Sequence, residues 1–184
     1  MLENEQLKGL LKDIGTVVGI VLAFLLVCYI AFGLWTPMYV VSSTSMEPNM
    51  NVGDIVFVRS IDRGEVITQQ DALSMSSKVY MKFGNPGDVI LFRPYGNESY
   101  MLVIHRAMYY VEAGEEMWPG GPIAPHAGYI TQGDNEQTNP ILDQQTTISY
   151  QTPVKEEWIV GTSRFKIPFI GKIRLLFFPN RLPF

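Results

Sequence analysis

Asn85-Pro-Gly-Asp-Val-Ile-Leu-Phe92 sets a Pro-Gly turn directly before an uninterrupted apolar run. Pro and Gly punctuate the backbone, and the short β-branched and aromatic run that follows has the chemistry of a strand. The same grammar recurs on both sides of it. Strands are expected at residues 54–58 (Asp-Ile-Val-Phe-Val), 88–92, 100–105, 108–112 and 129–131. Turn residues separate them at Gly53, Gly84, Pro94, Gly96 and through residues 119–122. One modest helix is expected over residues 69–78, where Ala and Leu mix with polar side chains. Brief strands between turns predict a mainly β fold, an antiparallel and partly coiled barrel.

Upstream of this region, residues 14–35 carry no charge, a run of roughly 22 residues that suffices to cross a bilayer core. Trp35 and Tyr39 close it with rings suited to the interface. A cleaved signal peptide would have a shorter apolar core and small residues before a cut site, whereas this segment ends Phe-Gly-Leu-Trp. A retained anchor is therefore expected. Lys8 and Lys12 precede it, and acidic neighbours count little in the positive-inside rule, so the N-terminus is predicted to be cytoplasmic and the body outside. The expected division is residues 1–13 cytoplasmic, 14–35 a transmembrane helix, 36–164 an extracytoplasmic domain and 165–184 a basic, apolar tail.

Bulk properties narrow the function. The 184 residues have room for one anchored domain. A net charge of −4 argues against general nucleic-acid binding. Residues 35–157 hold seven Lys or Arg against fifteen Asp or Glu, whereas residues 158–184 hold five basic residues and no acid. That tail is expected to lie against lipid headgroups, with a basic β-edge as the alternative. Its charges would be too costly at mid-bilayer for a second span. Cys28 is the only cysteine, so no intrachain disulfide can form. With only His105 and His126 besides, no metal site and no cofactor are expected.

Ser43-Thr-Ser-Met-Glu-Pro48 follows just beyond the anchor and puts a candidate nucleophile, Ser45, at the membrane surface. A serine hydroxyl attacks a carbonyl only when a base takes its proton. His105, ending the apolar run Leu-Val-Ile-His, is the natural base. A histidine so placed is by default a satisfied core residue, but the serine box and the want of a rival turn the reading toward catalysis. His126 lies among Pro125, Ala127 and Gly128, where a surface role is expected. Lys78 and Lys82 precede the Gly87-Asp88 turn, the wrong context for a lysine base. An orienting carboxylate could come from Asp134, in Thr131-Gln-Gly-Asp-Asn135, or from Asp143, and spacing does not say which. The backbone N–H of Ser45 and the Ser43 hydroxyl are candidate oxyanion donors. Met46 reads as an apolar contact near lipid and Pro48 as the residue that turns the chain out of the loop.

Taken together, Ser43-Thr-Ser-Met-Glu-Pro48, Asn85-Pro-Gly-Asp-Val-Ile-Leu-Phe92, Val103-Ile-His-Arg-Ala107 and Ile130-Thr-Gln-Gly-Asp-Asn135 resemble, in order, the boxes of type I signal peptidases. Val160-Gly161 and Ile167-Pro-Phe-Ile-Gly171 are similar to the segment that follows. His105 stands where bacterial enzymes carry Lys, which resembles the archaeal and endoplasmic-reticulum branch; a single-anchor chain of this size favours an archaeal source. The resemblance implies a membrane-bound serine peptidase with a largely β core that cleaves signal peptides from exported preproteins. It implies Ser45 as nucleophile, His105 as general base, and Asp143 or Asp134 as the acid. It also implies a substrate bound as an extended strand, with small residues at the first and third positions before the cut. The partners it implies are preproteins, the bilayer and the protein-export translocon. A noncatalytic β scaffold on an anchor is the alternative from another class, and a Ser-Lys protease using Lys82 is a third.

Overall fold

The computed structural model describes residues 2–76 and 78–168. It opens with α1 (Leu2–Phe32), whose stretch Gln6–Phe32 is long and apolar enough to cross a membrane. Ile20, Val27 and Ile30 along it stay exposed in the free chain. The helix ends at Gly33 with φ +73°, a left-handed conformation that favours glycine. A Cβ there would also lie 3.0 Å from Ser60 Cβ and 3.1 Å from the Arg63 side chain, so glycine lets the helix end dock on the domain. Arg63 completes the junction by donating to the carbonyls of Ile30 at 3.1 Å and Tyr29 at 3.2 Å. Cations at a helix C-terminus are favoured by its dipole.

Among the described residues eight strands follow: β1 (Met38–Val40), β2 (Ile55–Ser60), β3 (Met81–Lys82), β4 (Asn85–Pro86), β5 (Val89–Phe92), β6 (Val103–Val111), β7 (Gly128–Gln132) and β8 (Ile159–Ile167). Six of them form one antiparallel sheet in the order β1-β2-β8-β5-β6-β7, and β3 pairs with β4 as a small hairpin. The fold is mainly antiparallel β, with one N-terminal apolar helix, as expected. Among the described residues no ladder joins β1 to β7. Instead the turns beyond these edges meet: Asn135 donates its backbone N–H to Ser45 O at 2.9 Å and its side-chain amide to Thr44 O at 2.8 Å.

The unbroken apolar run of β5 has a physical reason. Val89 and Leu91 face a core with Val41, Met46, Met50, Val56 and Val58, while Ile90 and Phe92 face another with Val66, Ala107, Val154 and Ile159. A strand covered on both faces loses the polar alternation of a half-exposed one. Met46 is 1% exposed within the first core, so it serves packing and not the lipid contact its position suggested.

Three other elements differ from expectation. The runs at 100–105 and 108–112 are one strand, β6, which bends at a bulge near Ala107. The helix is shorter than expected: α2 (Gln69–Ser74), held at its start by a capping box of Thr68 and Asp71. β8 was not read as a strand at all. It lies between β2 and β5, with β5 pairing at Ile159, Gly161 and Thr162, while Phe165, Lys166 and Ile167 run on beside β2 alone. Lys166 reaches the buried Asp54 at 2.7 Å. The rest of the expected interfacial tail, from residue 169 on, lies outside the described residues.

Candidate active site

Neighbouring positions on β6 send His105 and Arg106 to opposite sides of the strand, because side chains alternate along it. His105 is 2% exposed and lines a cleft of about 560 Å³. Ser43, Ser45 and Met46 line the same cleft, as do β1 and residues 101–104. Its Nδ1 lies 2.7 Å from Asp143 Oδ2, a carboxylate with no exposed surface. The Thr131 hydroxyl donates to the same oxygen at 2.6 Å. Asp143 sits at the start of a 3-10 turn (Asp143–Gln145), and the next residue tethers that turn to β7: Thr131 N–H donates to Gln144 Oε1 at 3.1 Å. With the carboxylate ionised, Nδ1 carries the proton and Nε2 is left as the basic nitrogen.

Ser45 begins the turn that follows β1. Its Oγ lies 3.1 Å from Ser43 Oγ, and among the described residues no hydrogen bond joins it to His105. Catalytic hydrogen bonds are often long in unliganded enzymes and tighten around substrate. Gly133 sets how closely the loop approaches β7, since a Cβ there would lie 2.6 Å from Ser45 O and 2.7 Å from Asn139 Cγ.

Arg106 builds the other side. It is 1% exposed, yet every arm of its guanidinium is engaged. Nε donates to Asp134 Oδ1 at 2.7 Å and one terminal nitrogen to Oδ2 at 2.6 Å, a bidentate pair. The remaining N–H groups reach the carbonyls of Gly87 at 2.7 Å, Pro86 at 3.1 Å and Lys82 at 3.1 Å. Asp134 in turn accepts from the Asn49 amide at 2.8 Å, and its backbone N–H meets Met46 Sδ at 3.5 Å. The pair therefore ties β6, the β3–β4 hairpin and the Ser45 loop together.

Asp143 contacts His105, and Asp134 is spent on Arg106. His126 is remote from the cleft; its ring N–H donates to Ala127 O at 2.9 Å and its edge meets Trp158. Burial pushes the Lys82 ammonium pKa down, with Arg164 acting the same way, yet Lys82 does not line the cleft. Thr131, Gly133 and Asn49 were not singled out from the sequence. The first two stand inside the quoted Ile130–Asn135 box, which was the available signal.

The family model described as signal peptidase, peptidase S26, matches residues 14–106. The chain belongs to this family. The match runs from the apolar helix through Ser45 to His105 and Arg106, and Asp134 and Asp143 lie beyond it. No curated protein matches the sequence closely enough to count as a relative. Membership makes the chain a signal-peptidase hydrolase acting on substrates that bear signal peptides. With one N-terminal apolar helix, it fits a single-pass membrane protein.

Proposed function

We propose that this chain is a serine endopeptidase that removes N-terminal signal peptides from exported preproteins, with Ser45 as nucleophile, His105 as general base and Asp143 as the acid that orients it. One observation carries the reading: Ser45 and His105 wall one cleft, and the imidazole is held at 2.7 Å by a buried carboxylate. A buried carboxylate on Nδ1 is the device that fixes the tautomer and stabilises the imidazolium.

In this mechanism the preprotein enters the cleft extended, between β1 and residues 101–105. Ser45 Oγ forms a bond to the scissile carbonyl carbon while Nε2 of His105 takes its proton. The Ser45 N–H and the Ser43 hydroxyl stabilise the oxyanion. The intermediate collapses as His105 returns the proton to the leaving amine, which leaves an acyl-enzyme. Water, activated by His105, then releases the signal peptide and regenerates Ser45. His105, where the resemblance puts the Lys of bacterial enzymes, supports placing the chain in the archaeal and reticulum branch. Residues 1–13 are cytoplasmic, 14–35 span the membrane, and the peptidase domain is extracytoplasmic, where it receives preproteins from the export translocon. Sharing one bilayer with the substrate raises their effective concentration.

Ser45→Ala tests the reading in a membrane cleavage assay on a preprotein. Cleavage is expected to vanish while the thermal unfolding of the domain persists. Full residual cleavage overturns it.

A further inference from the structure

Away from the cleft, β2 and β8 assemble a second group of polar side chains that the peptidase reading does not use. Arg59 stands directly opposite Thr162 in the ladder, so their side chains rise from one face. Thr162 is 1% exposed, and both its hydroxyl and Arg59 Nε are buried with no partner. Buried donors without acceptors are costly and rare. Arg164 is the extra residue where the β2–β8 register shifts, with Phe57 opposite Phe165 and Val58 opposite Ser163. Lys82 Nζ lies 5.7 Å over the Tyr80 ring, and after burial both guanidinium groups push its pKa down. Among the described residues, none of Arg59, Lys82 and Arg164 forms an ion pair. Asp88, the neighbouring acid, already accepts from Ile67 N–H at 3.0 Å and the Tyr80 hydroxyl at 2.9 Å.

The place of this cluster in the fold decides its ligand. Phe57, two residues before Arg59 on the same face of β2, stacks on Phe165 at 4.5 Å and meets Phe32, the last residue of α1, at 5.7 Å. Two strand residues span about 7 Å. Arg63 grips the same helix end. Arg59 thus lies about 7 Å along β2 from the residue that meets the end of the apolar helix.

We propose that Arg59, Thr162, Arg164 and Lys82 form a binding site for the phosphodiester of an anionic membrane lipid. Phosphate oxygens would accept from Arg59 Nε and the Thr162 hydroxyl, the guanidinium groups supply planar donor pairs, and Lys82 adds a point charge. A lipid held there fixes the stance of the peptidase domain on the membrane.

The test uses the full chain in vesicles of phosphatidylglycerol and phosphatidylcholine, with native mass spectrometry after detergent extraction counting the lipids retained. One phosphatidylglycerol is expected on the wild type. Arg59→Gln and Arg164→Gln each lower its retention about tenfold, as loss of a charge-assisted hydrogen bond predicts. Lys155→Gln, whose ammonium pairs with Glu157 elsewhere, leaves it unchanged. Lys82→Gln, on the small hairpin, carries the test if an arginine variant fails to fold, and is expected to lower retention severalfold. Equal retention in all variants, or an equal loss in Lys155→Gln, overturns the proposal. So does inorganic phosphate bound through Arg59 and Arg164 with no lipid retained, which would assign the site to a soluble anion.

Discussion

Asp143→Asn and Asp134→Asn, compared side by side, separate the two carboxylates by role. At Asp143, the asparagine carbonyl can still accept from Thr131, which donates at 2.6 Å, so the turn keeps its anchor on β7. What disappears is the charge 2.7 Å from His105 Nδ1. The imidazolium formed in the transition state loses its counter-ion, and an amide N–H can now stabilise the wrong tautomer. A loss of about 10³-fold or more in kcat is expected, roughly 4 kcal/mol of barrier. Melting should change little. At Asp134 the ledger reverses, because Arg106 is 1% exposed and would lose its bidentate partner. Leaving one half of a buried pair uncompensated costs about 3–5 kcal/mol. For a chain of this size that lowers Tm by roughly 10 °C. Single-turnover cleavage of a preprotein in micelles, with Tm from intrinsic fluorescence, measures both quantities. Activity within threefold of wild type in Asp143→Asn, or an unchanged Tm with lost turnover in Asp134→Asn, refutes the assignment.

Gly133→Ala should reduce turnover by at least tenfold, because its methyl group must displace the Ser45 carbonyl that lies 2.6 Å from the site of a Cβ; kcat measured beside Tm checks that the loss is positional. His105→Lys should be inactive at every pH from 6 to 10, since a lysine base needs a desolvated pocket of its own and here would meet Asp143. A pH profile with restored activity would contradict this. Burial, and then Asp88, push the Tyr80 phenol up from 10.0 to about 12. A raised folded-state value favours the folded chain below pH 10, an advantage lost as pH climbs through 10 to 12. Urea midpoints for Tyr80→Phe should therefore fall less over that window than those of wild type. Identical slopes would show that the phenol is not linked to folding.

Local chemistry was enough to read the N-terminal apolar helix and most strands of the sheet. Those features depend on short windows: an uncharged run, turns marked by Gly and Pro, and β5, whose apolar residues are buried on both faces. What stayed hidden depends on partners distant in sequence. Arg106 drew no role from the sequence, because its partner Asp134 lies 28 residues on. β8 escaped notice because Gly161, Thr162, Ser163 and Arg164 lack apolar alternation, although three of the four are buried inside the sheet. Likewise neither acid's spacing revealed its target. Thr131, in an expected strand, and Gly133, in the turn after it, carried no role until β7 brought them against Asp143 and Ser45.

The junction at Gly33 and Arg63 has a mechanical corollary. With helix carbonyls clamped by a guanidinium and Phe32 lodged against Phe57 and Phe165, the splice between anchor and sheet has no swivel. A thicker or thinner bilayer that tilts the helix must then tip the peptidase body with it, raising or lowering its serine like the jaw of a caliper. With Ser45 as the nucleophile, as proposed, a change of lipid composition is then expected to shift where along a passing chain the cut falls.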